Sequence, residues 1–224
     1  MRLLALLVVF AASPALADDT WSNAEDETWR VEAVLTFHRF ESQVKTEIGG
    51  TTVDPVVEEG SVGLAVTATY NVWRFFRLGL YAQLDGGQRQ VGRFEGIDAD
   101  GDPIVTREGG RFLELWLGPV LRVQWRGLFG EFAYGALGIR RDRARTDLPN
   151  EDGEGGLFRV SPRVAWSFGV GAFVPVHPNV DVVLRMQYRV RYYDQRGGED
   201  LTGGVVHGTQ NLAPFLGVAW HRSR

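Results

Sequence analysis

Three stretches carry residue types at spacings that could do chemistry. His221-Arg222-Ser223 sets a histidine two residues before a serine. A histidine can activate a serine hydroxyl as a nucleophile when a carboxylate orients it, but here the pair trails the last alternating segment, which ends at Trp220. Asp98-Ala99-Asp100-Gly101-Asp102 begins like a calcium loop, but the EF-hand pattern needs glycine at its sixth position and glutamate at its twelfth. Pro103 and Gly109 stand there instead. The run therefore reads as the turn of a hairpin between Arg93–Ile97 and Ile104–Thr106, and no metal site is expected. Arg140-Arg141-Asp142-Arg143-Ala144-Arg145 is a basic run whose planar guanidinium forks match phosphate oxygens. Of the other histidines, His177 lies in a short Pro-flanked turn and His207 in a Gly-rich loop. With cysteine absent from the 224 residues, disulfides, a thiol nucleophile and cysteine-bound zinc are excluded.

What must position these residues is read from Val180–Tyr192. Val180, Val182, Leu184, Met186, Tyr188, Val190 and Tyr192 fall on one face, and Asp181, Arg185, Gln187, Arg189 and Arg191 on the other. Period two means a strand. An apolar face this long matches a tilted strand crossing a bilayer. The arginines must then point into a closed barrel, because an open sheet edge leaves backbone amides unpaired in hydrocarbon.

The chain opens with Met1-Arg2, an apolar run from Leu3 to Ala12 and a small-x-small site at Ala15-Leu16-Ala17. Residues 1–17 read as a cleavable secretory signal, too short for a membrane helix. Residues 18–28 are expected as a periplasmic segment, 29–220 as the barrel and 221–224 as a tail. The remaining composition has 28 glycines and 12% aromatics, with apolar residues spread by alternation. A net charge of −4 argues against a nucleic-acid partner.

Eight segments alternate: Trp29–Phe40, Ser61–Trp73, Phe76–Leu84, Arg111–Trp125, Leu128–Ile139, Val160–Val174, Val180–Tyr192 and Leu212–Trp220. Pro119, Pro162 and Pro214 fall inside them and remove ladder donors, so bulges or shifted ends are expected there. Connections alternate between tight turns (Arg74-Phe75, Arg126-Gly127, Pro175–Asn179) and long loops, as in barrels with short periplasmic turns and long extracellular loops. Trp29, Trp73, Phe75, Phe76, Trp125 and Trp220 gather at the short-turn end. Phe37, Phe40, Phe112, Phe158, Tyr192 and Tyr193 gather toward the long-loop end. Two such belts suit the two interfaces of a bilayer. The fold expected is an all-β, eight-stranded antiparallel up-and-down transmembrane β-barrel.

Across the mature chain this pattern resembles the small outer-membrane β-barrel proteins, the transmembrane domains of the outer membrane protein A, X and W type. The resemblance implies residence in the outer membrane, contact with its lipids and lipopolysaccharide, insertion by the barrel-assembly machinery and a monomer. One departure is that Trp220 is followed by His221-Arg222-Ser223-Arg224, where such barrels usually end on an aromatic residue. His221-Arg222-Ser223 is similar to the His-x-Ser pair of outer-membrane lipid A deacylases, where the pair lies within a strand.

Inside, Arg30, Arg122, Arg163, Arg185, Arg189 and Arg191 face Glu32, Glu114, Glu131, Asp85 and Asp181, with His38 near the outer rim. An eight-stranded barrel is just wide enough for side chains to fill, so these charges are expected to pair into a polar core. Arg140, Arg141, Arg143 and Arg145 are the expected lipopolysaccharide contacts. The functional expectation is a structural or interaction barrel that serves envelope integrity and surface contact, without cofactor and not an enzyme. A narrow porin-like channel, a lipid A hydrolase and a soluble periplasmic barrel stay as alternatives.

Overall fold

In a computed structural model the protein is described over residues 27–41, 46–48, 51–53, 57–101, 103–145, 160–195 and 207–223. The expected signal at 1–17, nearly all of the 18–28 segment, Asp102 and Phe158 lie outside the described residues. The strands are β1 (Glu27–Glu41), β2 (Thr46–Ile48), β3 (Thr51–Val53), β4 (Val57–Trp73), β5 (Phe76–Ile97), β6 (Pro103–Trp125), β7 (Leu128–Gly135), β8 (Leu137–Arg145), β9 (Val160–His177), β10 (Val180–Gln195) and β11 (His207–Ser223). Strands β2 and β3 form a hairpin of their own. Every other strand belongs to one antiparallel sheet, ordered β5-β4-β1-β11-β10-β9-β7-β6-β8, which β5–β6 pairing closes. Because β7 and β8 are two parts of one staff interrupted at Ala136, the ring has eight members, as the alternation predicts.

The wall is apolar outside and charged inside. On β4 the odd-numbered Ser61, Ala65, Thr67, Thr69 and Asn71 are buried while Val62, Leu64, Val66, Tyr70 and Val72 are exposed. On β6, Leu113, Leu117, Leu121, Val123 and Trp125 face out, whereas Phe112, Glu114, Trp116, Val120, Arg122 and Gln124 are buried. This is the inside-out pattern of a barrel that spans a bilayer. Trp29, Trp73, Phe76, Trp125 and Trp220 stand exposed on the outer face at the short-turn end. Two residues expected in the outer belt are elsewhere: Phe112 and Tyr193 lie on the inward face and are buried in the lumen.

Each proline marks a fault in the ladder. Pro119 pairs with Leu80 of β5, but on its other side β6–β8 pairing ends at Leu117↔Leu137 and β6–β7 pairing begins at Val120↔Ala133. Ala136 is the extra residue opposite that gap, and such a bulge reverses the facing of the residues beyond it. Up to Tyr134 the even positions point out; beyond the bulge Leu137 and Ile139 do, and Arg140 turns in. At Pro162 the β9–β10 register slips between Tyr192↔Val164 and Tyr193↔Pro162. Arg163 falls within that slip and is exposed, so it does not join the buried charge network in which it was expected. Past Leu35↔Leu216, just short of Pro214, the β1–β11 ladder stops.

Several strands outrun their expected ends. The β5–β6 hairpin pairs up to Ile97↔Pro103, and its turn is held by Gly101 N donating to Asp98 O at 3.2 Å and Asp100 N donating to Asp98 Oδ1 at 2.9 Å. The Asp-rich run is thus a hairpin tip. Strand β11 continues through Ser223, with His221 opposite Arg30 and Arg222 opposite Trp29. The expected 221–224 tail is therefore strand as far as Ser223.

Candidate functional site: the charged lumen

At the short-turn end the lumen is built from β1, β6, β7, β9, β10 and β11. Arg122 lies between two carboxylates: its Nη2 donates to Glu32 Oε2 at 3.0 Å and its Nε to Glu131 Oε2 at 3.1 Å. Arg185 reaches the same two acids, at 2.6 Å to Glu32 Oε2 and 2.7 Å to Glu131 Oε1. Arg30 Nη1 donates to Asp181 Oδ2 at 2.6 Å, and His221 Nε2 stands 3.7 Å from that oxygen. Aromatic rings cap these cations. The Arg30 guanidinium sits 3.8 Å over Phe173 and that of Arg122 4.6 Å over Phe129, while the two rings stack at 4.6 Å. Val34, Val183, Phe215 and Ala219 complete this buried cluster. Glu32 and Glu131 are each met by two guanidiniums, the arrangement that offsets the several kcal/mol cost of burying an ion.

Toward the long loops the network is centred on Asp85 and Glu114. Asp85 Oδ1 accepts from Thr36 Oγ1 at 2.9 Å and from Gln83 Nε2 at 3.0 Å, and the carboxylate also takes Arg191. Glu114 accepts from the Tyr193 hydroxyl at 3.0 Å, from Arg140 Nη1 at 3.0 Å and from Trp116 Nε1. Arg191 Nη1 is 2.9 Å from Glu114. Trp116 and Tyr193, both 0% exposed, pack edge to face across the lumen at 6.2 Å. Arg140, expected as a lipopolysaccharide contact, is here a lumen residue. It bonds Glu114, Glu59 at 3.2 Å and Asp142 at 2.7 Å, and lies 3.8 Å over Phe112. The Ala136 bulge is the reason. Arg141 and Arg143 remain on the exposed face, and the side chain of Arg145 lies outside the described residues.

Glu59, Arg77, Arg89 and Trp116 are lumen groups missing from the sequence expectation. All four keep the alternation of their strands. Glu59 and Arg89 escape notice because their strands run past the limits set for them, and extending the Ser61 and Asp85 parity outward would have found both. Not every lumen ion is satisfied. Arg89 approaches Glu59 only to 3.6 Å and Arg189 approaches Asp85 only to 3.6 Å. No side-chain nitrogen of either has a hydrogen-bond partner among the described residues, nor has His38 Nδ1 or Nε2, Ser61 Oγ or Thr209 Oγ1.

The arrangement offers no metal cluster among the described residues. The His221 and Arg222 positions are within a strand, but His221 faces Asp181 in the lumen at the short-turn end.

No protein-family model matches the chain, and no curated protein matches it. Among solved structures it is similar to the outer membrane protease OmpT from Escherichia coli, at 14% identity and a TM-score of 0.39, over 91% of this chain and 99% of that one. That neighbour is a protease, so the comparison lends no support to the expectation that the chain is not an enzyme; at such identity and score the likeness carries no residue role or activity across.

Proposed function

We propose that the chain is a small outer-membrane barrel of the A, X and W type whose role is structural and interactive: a sealed wall element that contributes to envelope integrity and meets lipopolysaccharide and external partners with its outer rim and loops. The observation that carries this reading is the filled lumen. Trp116, Tyr193, Arg122 and Glu114 are each 0% exposed, and arginine forks bridge the walls at both levels. A path for hydrated solutes requires an open cross-section, and eight strands leave room only for side chains. The test is conductance across planar bilayers containing the refolded protein. Baseline current is expected; discrete steps of constant size would favour the narrow porin-like reading instead.

Residence in the outer membrane, export by the 1–17 signal, insertion by the barrel-assembly machinery and a monomeric state belong to the same proposal. Arg141 and Arg143 are the groups assigned to lipopolysaccharide phosphates, since both are exposed above the bulge and guanidinium forks bind phosphate bidentately. Replacing both by serine is expected to weaken lipopolysaccharide binding several-fold at low salt, with less difference at high salt. Binding that is equal at every salt concentration removes this assignment.

A further inference from the structure

The rim at the short-turn end repeats one local arrangement. Trp73-Arg74-Phe75-Phe76 joins β4 to β5, and Trp125-Arg126-Gly127-Leu128 joins β6 to β7. In each turn the arginine takes a positive φ, 42° at Arg74 and 50° at Arg126, where glycine, asparagine or aspartate would cost less. In each its guanidinium lies over the preceding indole, 5.9 Å from the Trp73 ring and 5.2 Å from that of Trp125. A third arginine, Arg222, is exposed near the end of β11, opposite Trp29 and two residues beyond Trp220.

These three arginines fall on one arc of the rim. Strand β5 pairs with β6 and β4 with β1, so the Arg74 turn stands between the Arg126 turn and the paired ends of β1 and β11. Where the first two turns meet, Gln124 N donates to Phe75 O at 2.8 Å. At a strand spacing of about 4.8 Å, neighbouring arginines on the arc stand roughly 10 Å apart. The remaining turn, from β9 to β10, exposes His177, Pro178 and Asn179 and carries no arginine. Among the side chains described at this end there is no exposed carboxylate. Asp181 is buried against Arg30, and Glu131 against Arg122 and Arg185. The long-loop end differs, with Glu58, Asp98 and Asp100 exposed.

Stacking on an indole engages the plane of a guanidinium and leaves its N–H edges available. Those edges match two oxygens of a phosphate. The indoles themselves suit the level of the bilayer interface, and Val72, Leu78 and Val123 are exposed on the lipid face beside them. From this order of cation, ring and apolar wall we infer that the arc is a selective site for anionic phospholipid in the leaflet facing the short turns. The phosphodiester sits against Arg74, Arg126 or Arg222, and the acyl chains lie along the apolar wall. A zwitterionic headgroup brings its own ammonium against the arginines and is disfavoured. This inference rests on the reading of the chain as a bilayer-spanning barrel. It gives a partner to the rim opposite the one assigned to lipopolysaccharide.

The test uses the protein folded in neutral maltoside micelles, offered equal amounts of phosphatidylglycerol and phosphatidylcholine with the same acyl chains, and reads bound lipid by native mass spectrometry. The folded protein is expected to carry phosphatidylglycerol in about tenfold excess. Arg74→Gln, Arg126→Gln and Arg222→Gln together are expected to bring the ratio to about one, with heat-dependent gel mobility retained. Lysine at the same three positions keeps the charge and loses the planar fork, so an intermediate ratio is expected. Glycerol 3-phosphate at the lipid concentration is expected to displace nothing. Three results would overturn the inference: equal binding of the two lipids by the folded protein, an undiminished ratio in the triple glutamine variant, or displacement by glycerol 3-phosphate. The second places the selective site elsewhere, and the third makes the headgroup alone the ligand. Absence of heat-dependent mobility in the unsubstituted protein would be a different failure, because it removes the barrel reading and this inference with it.

Discussion

The two halves of the lumen use the same residue types to opposite effect. At the short-turn end Arg122 and Arg185 share Glu32 and Glu131, and rings of Phe129 and Phe173 lie against the guanidinium planes. Toward the long loops Arg89 and Arg189 are as deeply buried, at 0% and 4% exposure, yet no side-chain nitrogen of theirs is hydrogen-bonded among the described residues. Burial of an arginine by itself thus says little about stability; what counts is whether a carboxylate fork meets it. The short-turn half resembles a folded core made of ions, whereas in the other half Arg89 and Arg189 come only to 3.6 Å from their carboxylates.

Removing one partner from each half should break or sharpen that contrast. The largest effect is expected for Arg122→Leu, which leaves Glu32 and Glu131 buried with Arg185 alone. A loss of about 3–5 kcal/mol should appear in urea unfolding of the refolded protein in lipid vesicles. A loss below about 1 kcal/mol would mean that water reaches these acids and that the short-turn half is no drier than the other. An intermediate effect is expected where the halves meet. A Cβ added at Gly118 comes within 1.7 Å of Tyr134 O, a backbone atom, whereas one added at Gly130 meets nothing within 4 Å. Gly118→Ala should therefore cost about 1–3 kcal/mol by overpacking, and Gly130→Ala should stay within about 0.5 kcal/mol; equal costs would show that β6 and β7 do not approach so closely beside the bulge. The smallest effect is expected for Arg189→Leu. With no hydrogen bond to lose, and with Asp85 still held by Arg191, Gln83 and Thr36, stability should shift by less than about 1 kcal/mol. A loss as large as that of Arg122→Leu would erase the distinction between the halves.

Most of the wall was legible because a strand's facing is a local property. Each residue points opposite to its neighbour, so V-D-V-V-L-R-M-Q-Y-R-V-R-Y declares its two faces with no knowledge of what lies beside it, and Arg185, Arg189 and Arg191 are buried as read. The lumen was less legible at its outer end. Glu59 and Arg89 follow the same parity as Ser61 and Asp85, but Gly-rich and charged sequence around them resembles loop, and only pairing with the neighbouring strand keeps it extended.

By itself, then, the sequence determined the all-β class, the ring of alternating strands, the tight turns at one end and the identity of most inward charges, because these come from period-two patterning and turn chemistry. Tertiary structure alone decided three things. The bulge at Ala136 carries Arg140 inward, away from the exposed position expected of it. The slip at Pro162 leaves Arg163 exposed rather than among the buried charges. The β1–β11 ladder ends at Leu35↔Leu216. All three depend on which residue of a neighbouring strand, distant in the chain, comes to lie opposite, and a one-residue change in that register reverses every facing beyond it.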